Sequence, residues 1–295
     1  MVAASFEYVS AASYDEAVQR LVEHGGDAKI VAGGQSLVPM LNLRIVRPSV
    51  LIDINPAGSR PPEVDGSVLR LGALTRHSTL LEDPVVRRHC PLLAEAVRHV
   101  GNVRVRNRGT IGGSLAHADP TAEIGACALV LDADVVVRGP ASSRTVAVAD
   151  LFVSYLTTTL EATEVVTDVL VPVLARGQGW GFREMVRRSS DLAIVAVAAR
   201  VDLDDAAEVV RSVQISLAGV SDRVVLADPA LFAELVGTSG DDASLARVAA
   251  AVADAVSPES DVHASGAYRS RLVDVLTRRA LRDAFDRARN LAEAP

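Results

Sequence analysis

Two glycine pairs constrain what this chain can fold into. Ala32-Gly33-Gly34-Gln35-Ser36 lies near the start and Thr110-Ile111-Gly112-Gly113-Ser114 further on, and each joins an apolar run to a polar, hydroxyl-bearing stretch. Without a Cβ, a glycine tolerates positive φ and lets its backbone N–H come close to a ligand. A neighbouring Ser adds a hydroxyl donor, so either loop suits a phosphate. A Gly-Gly pair taken alone is more often a plain turn than a phosphate loop. Neither loop reads G-x-G-x-x-G or G-x-x-x-x-G-K-[ST], so a phosphate site here is of neither the Rossmann nor the P-loop kind. Two such loops in one chain suggest two contacts on one diphosphate-bearing ligand, which is the first sign of a dinucleotide.

At 295 residues the chain has room for two domains or one large one. Apolar residues make up 49% and aromatic ones only 3%, so Ala, Val and Leu must build the core. A net charge of −7 argues against a nucleic-acid partner, whose footprint is a basic excess. No apolar run reaches membrane-span length and no secretory signal pattern opens the chain, so a cytoplasmic protein is expected. Cys90 and Cys127 are too few for a disulfide framework or a thiolate-ligated cluster. Of the 30 basic residues all but Lys29 are Arg, and Lys29 stands just ahead of the first glycine pair. A compact ammonium kept there suits a point contact to an anion.

Along the chain, Ser13 and Glu16 form a capping box for a helix over 13–24 that Gly25 stops. Lys29 to Ala32 reads as a short buried strand feeding the first glycine pair, and Val50 to Ile54 as a second strand. The Pro/Gly-rich stretch 55–66 marks a boundary, followed by a strand at Val68 to Gly72 and a helix from Leu92 to Val100. Val103 to Arg108 alternates apolar and basic residues and reads as a strand or extended loop. Ala128 to Val137 and Val165 to Val171 read as strands, and Ala175 to Gly181, with the only Trp, as a linker. Strands at Asp191 to Asp202 and Val213 to Leu217 follow, then helices over 245–256 and 268–288 with Leu272, Val273, Leu276, Ala280, Leu281 and Phe285 on one face.

His117, Asp119 and Glu123 follow the second glycine pair. A His/Asp/Glu group invites a metal or acid–base reading, yet its spacing matches no ligand motif. An acidic residue after a phosphate loop also suits ribose hydroxyls. No nucleophile–base constellation and no metal site stands out.

The blocks Ala32-Gly33-Gly34-Gln35-Ser36-Leu37-Val38-Pro39, Leu71-Gly72-Ala73-Leu74-Thr75, Val103 through Pro120, Arg187-Arg188 with Asp191-Leu192-Ala193, and His263 through Arg269 occur in order over nearly the whole length. In these the chain resembles the FAD-binding medium subunits of molybdenum hydroxylases, such as the flavoprotein subunit of carbon monoxide dehydrogenase and the FAD domain of xanthine dehydrogenase. The resemblance implies an α+β fold: a two-subdomain FAD-binding domain of the vanillyl-alcohol-oxidase (PCMH) type over 1–175, with subdomains of about 1–55 and 56–175. A C-terminal flavoprotein domain over 176–295, an antiparallel sheet with helices, would follow.

It further implies FAD as cofactor. Ala32, Gly33, Gly34, Gln35, Ser36 and Leu37 would grip the pyrophosphate from one side, with Lys29 beside them, and Thr110, Ile111, Gly112, Gly113 and Ser114 from the other. Glu123 would bond the ribose, Ala73 and Thr75 would lie along the ribityl chain and flavin, and Val100 would face the isoalloxazine. Leu170 would back the cofactor and Arg183 would stand near the ring. The implied partners are a small [2Fe–2S] subunit and a large molybdopterin subunit. Electrons would reach FAD from the clusters and leave to NAD, a quinone or dioxygen. The alternative is a stand-alone FAD-dependent oxidoreductase acting directly on a small molecule, for which aliphatic Val100 and Leu192 would leave room beside the ring.

Overall fold

Ser13 caps the first helix, Tyr14–His24, its Oγ accepting from the Glu16 N–H, while the Glu16 carboxylate reaches back to the N–H of Ala12 at 2.8 Å. Gly25, at φ 57°, ends it. The computed structural model describes residues 2–204 and 206–293. Ala17, Val18 and Leu21 seat the helix on a three-stranded parallel sheet in which Val50–Asp53 runs between Glu7–Ser10 and Ala28–Val31. Parallel strands need crossovers of a dozen residues or more. The second crossover, between Ala28–Val31 and Val50–Asp53, contains the first glycine loop and a short helix, Leu37–Asn42.

The second sheet is antiparallel and five-stranded, in the order Glu63–Asp65, Val68–Gly72, Val165–Pro172, Asp134–Arg138, Ser143–Ala147. Helices Pro91–Val97, Ile111–His117 and Glu123–Val130 share its apolar core. The third sheet is antiparallel: Gln178–Met185, Val195–Leu203, Val210–Ala218, Val225–Leu226. Its strand Val195–Leu203 alternates sides as a two-residue period requires. Val195, Val197 and Val201 join a core with helices Asp242–Asp254 and Gly266–Glu293, while Ala196 and Ala198 join the core of the second sheet. On that side, Ser216 Oγ donates to the Ala126 carbonyl at 2.6 Å and ties the sheet to helix Glu123–Val130.

Three local readings of the sequence are corrected. Val103–Arg108 is a helix, because Asn102 accepts from the N–H groups of Arg104 and Val105 and caps it. Ala128 to Val137 is not one strand: the helix runs to Val130 and a strand begins at Asp134, with Asp132 at φ 53° turning the chain between them. All eight residues of that helix are buried, so it carries no polar face that would mark its period. Ala175 to Gly181 is no mere linker, since a strand starts at Gln178. A Cβ on Gly179 would lie 1.9 Å from the Ala284 carbonyl oxygen, and one on Gly181 would lie 2.0 Å from that of Ala280. Those glycines form a groove into which the C-terminal helix settles. Trp180 between them donates from Nε1 to Glu95 at 3.1 Å and carries the Arg287 guanidinium 4.9 Å above its ring.

Among the described residues, no helix is long and apolar enough to cross a membrane.

Candidate functional site

A cleft of about 560 Å³ opens where the first sheet's glycine loop meets helix Ile111–His117 and the segment that follows Gly72. Its size is that of an ordinary small-molecule or cofactor site. Of the residues singled out in the sequence, Lys29, Ala32, Gly33, Gly34, Gln35, Ser36, Leu37, Ala73, Val100, Thr110, Gly112, Gly113, Ser114 and Glu123 line it. Thr75, Ile111, Leu170 and Arg183 do not. Thr75 and Ile111 are buried behind the wall, where the Thr75 carbonyl accepts from the Ile111 N–H. The side chain of Arg183 is engaged by Asp283 at 2.7 Å on the C-terminal helix. Leu170 belongs to the strand that lends Val165 and Val166 to the wall, without reaching the cleft itself.

The two glycine loops are built differently. In the first, Gly34 takes φ 72° and turns the chain into the short helix at Leu37. Among the described residues, nothing accepts from the N–H groups of Gly34, Gln35, Ser36 and Leu37. Consecutive unpaired amides of this kind, in the turn and first residue of a helix, form a concave anion site. In the second loop the amides are already engaged. Ile111 donates to Thr75, Gly112 to Ala73, Gly113 to the Thr110 hydroxyl oxygen and Ser114 to the Thr110 carbonyl. What that loop offers a ligand is the hydroxyls of Thr110 and Ser114. Nor is close approach to a ligand the only reason for glycine. A Cβ on Gly33 would meet the Arg108 carbonyl oxygen at 2.2 Å, and one on Gly112 would meet the Ala73 Cβ at 2.5 Å. Both glycines let two stretches of protein touch.

Beneath the second loop, His77 Nε2 and Ser114 Oγ stand 3.0 Å apart. Burial, with Arg106 and Arg76 nearby, pushes the imidazole pKa down to about 4, so it is neutral. Its Nδ1 makes no hydrogen bond among the described residues. A backbone hydrogen bond with Thr110 opposes the shift without reversing it. The neutral imidazole therefore holds the Ser114 hydroxyl in place at the cleft wall. Nothing in the periodicity around His77 marks it, since its role comes from a residue 37 positions away.

Four carboxylates border the cleft. Glu164 is neutralised by a two-pronged pair with Arg144, both contacts 2.7 Å, and Asp119 accepts from the N–H and hydroxyl of Thr121. Glu123 is the electrostatic exception: burial, helped by repulsion from Glu184 and Asp119, raises its pKa to about 7. Asp191 sits with Leu192, exposed at 66%, on the loop joining strands Gln178–Met185 and Val195–Leu203 of the third sheet. Lys29 is the cleft's exposed cation and has no ion pair among the described residues. No group of three or more His, Cys, Asp or Glu among the described residues is placed to hold a metal ion.

Comparison with known proteins adds the following. Residues 4–174 match the FAD binding domain in molybdopterin dehydrogenase, and residues 180–284 match the CO dehydrogenase flavoprotein C-terminal domain. The 6-hydroxypseudooxynicotine dehydrogenase complex subunit alpha of Paenarthrobacter nicotinovorans is 37% identical over 98% of both chains. The carbon monoxide dehydrogenase medium chain of Hydrogenophaga pseudoflava is 34% identical over 97% of this chain and 99% of that one. A solved structure of carbon monoxide dehydrogenase from Hydrogenophaga pseudoflava superposes with a TM-score of 0.92 at 34% identity, covering 97% of this chain and 99% of that one. One of quinoline 2-oxidoreductase from Pseudomonas putida 86 superposes with a TM-score of 0.90 at 34% identity, covering 98% and 100%.

Proposed function

The chain belongs to the FAD-binding medium subunits of the molybdenum hydroxylases, oxidoreductases whose medium subunit carries FAD, and from that premise we propose that it takes electrons from the [2Fe–2S] clusters of a partner subunit and passes them to an external acceptor. One observation carries the cofactor side of this reading: the four unpaired amides from Gly34 to Leu37 lie in one cleft with Lys29 and the hydroxyls of Thr110 and Ser114. The donor set matches a pyrophosphate, which needs several N–H groups and a cation on one face and hydroxyl donors on another.

In this reading the first loop and Lys29 bind the diphosphate and Thr110 and Ser114 close on it from across the cleft. The Glu123 carboxyl bonds ribose hydroxyls. Ala73 and Val100 flank the isoalloxazine, with Leu192 at the rim excluding water. When bound, the flavin supplies the two-electron redox chemistry, and the protein supplies binding, orientation and a tuned environment. His77 keeps the Ser114 hydroxyl aimed, and no side chain of the cleft is assigned a proton-transfer step with substrate. We assign FAD binding to a domain over 1–175 and read 176–295 as the C-terminal flavoprotein domain.

A small [2Fe–2S] subunit and a large molybdopterin subunit are the partners this reading requires. The names of the relatives, a medium chain and a subunit of a dehydrogenase complex, support it. Purification of the native complex tests it. The chain should co-purify with iron–sulfur and molybdenum-containing subunits, carry FAD by its visible spectrum, and show its flavin reduced when the complex is given substrate. A chain isolated without partners, or a flavin that stays oxidised while the clusters are reduced, would sink the proposal.

A further inference from the structure

We propose that Arg76 is a positioning residue that locks the two glycine loops at their working separation, acting through the carbonyls behind them. The proposal rests on the reading of the cleft as an FAD site. Arg76 Nη1 donates to the Arg108 carbonyl, directly ahead of Gly109 and Thr110, and Nη2 donates to Asn55 Oδ1 at 2.5 Å. Asn55 in turn donates from Nδ2 to the Ala32 carbonyl at 2.8 Å, directly ahead of Gly33. One guanidinium therefore reaches the base of both loops, through a carbonyl on one side and a side-chain amide on the other.

The rest of the surroundings hold the strut rigid. Asp53 Oδ1 accepts from the Asn55 backbone N–H at 2.9 Å and from its Nδ2, and Tyr8 donates its hydroxyl to Asp53 Oδ2. Burial alone would raise the Asp53 pKa, but the hydrogen bonds from Tyr8 and Asn55 and the Arg108 charge outweigh it, so Asp53 stays ionised. The Arg76 backbone is pinned as well: it bridges to Thr110, and its neighbours Thr75 and His77 exchange hydrogen bonds with Ile111 and Gly109. Asn55, Arg76 and Arg108 stay off the cleft wall, while Gly33 and Gly109 beside them line it. The strut thus acts on the ligand only through the loops. Where Gly33 lies against the Arg108 carbonyl the two loops touch, so a small change in that oxygen's position moves the unpaired amides relative to Thr110 and Ser114.

A planar fork is what the geometry needs, because two acceptors lie on different segments. A lysine ammonium keeps the charge as a point and does not reproduce the fork. Full-length apoprotein titrated with FAD, with flavin fluorescence as the readout, separates the possibilities. We expect Arg76→Met and Arg76→Lys each to weaken FAD binding about tenfold, and Asn55→Ala in the Arg76→Met background to add little, since coupled residues are not additive. Hydrogen exchange of the apoprotein gives a cofactor-independent reading: Arg76→Met should speed exchange in both 30–38 and 105–114. Wild-type FAD affinity in Arg76→Met, full rescue by Lys, additive losses, or exchange altered only beside residue 76 would overturn the strut. A wild-type chain that took up no FAD would overturn the functional reading instead, and the exchange result would still decide the strut.

Discussion

Gly33 rests on the backbone of Arg108, so close that a Cβ at position 33 would sit 2.2 Å from that carbonyl oxygen. The contact joins the two glycine loops directly, and it makes the first a sensor of the second. Gly33→Ala must push the seam open. The expected result is a fall in FAD affinity of roughly tenfold, with destabilisation of about 1–3 kcal/mol from the overpacked contact. Gly26→Ala is the control, because its Cβ meets nothing within 4 Å and its φ is not positive. FAD titration and urea unfolding of the two variants check both numbers.

Lys29 is the cleft's exposed cation and has no ion-pair partner among the described residues. Lys29→Met should weaken FAD binding by roughly fivefold, the range of a partly exposed charge contact, and the loss should shrink as salt rises. Lys29→Arg keeps the charge and should fall between the two. A salt-independent loss in Lys29→Met would point to packing and not to charge.

Gly181 offers a test of the third sheet. Its missing side chain admits the Ala280 carbonyl of the C-terminal helix. Gly181→Val should therefore lower unfolding stability by about 1–3 kcal/mol or more. FAD affinity should change less than stability, since Gly181 does not itself line the cleft. A large affinity loss with unaltered stability would contradict the packing account.

The sequence was legible wherever a local signal and the tertiary result agreed. The Ser13–Glu16 cap, the strand entering Gly33 and the one-sided apolar face from Leu272 to Phe285 are all present. It failed where burial erased the pattern. The helix from Glu123 to Val130 has no polar face, and the six residues of Val103–Arg108 are too few to separate a helical period from an alternating one. The glycines around Trp180 read as a linker because their partner, the C-terminal helix, lies about a hundred residues away in sequence. The cleft's wall was largely readable through the glycine pairs, but its supports were not. Arg76 meets partners 21 and 32 residues distant, and His77 meets Ser114, pairings that no local periodicity encodes.

Glu123 makes the stability of the apoprotein pH-sensitive. Its pKa rises from 4.5 in the unfolded chain to about 7 in the fold, first through burial and then through the charges of Glu184 and Asp119. The folded state therefore holds the proton more tightly, and this contribution is complete below pH 4.5 and lost as pH rises through 7. Glu123→Gln, neutral at every pH, should make the apoprotein more stable than wild type above pH 7, by up to about 3 kcal/mol. Chemical denaturation at a series of pH values measures the difference. Equal stability of the two proteins in alkali would show that the carboxylate is solvated after all.

His77 acts in the opposite sense, and the two titrations overlap. Its pKa falls from 6.5 to about 4 because burial disfavours the imidazolium, aided by Arg106 and Arg76. Here the unfolded chain binds the proton first. The contribution is complete above pH 6.5 and is lost as pH falls toward 4. Between pH 4.5 and 6.5 the slopes contributed by Glu123 and His77 have opposite signs and offset one another. Removing one unmasks the other. His77→Gln should give stability that falls as pH rises across this window, and Glu123→Gln stability that rises. The slope is the quantity to measure, since the His77 variant also loses its contact with Ser114 and its absolute stability will drop for that reason alone. If His77→Gln leaves the slope at its wild-type value, the imidazole is not held neutral beneath the second loop.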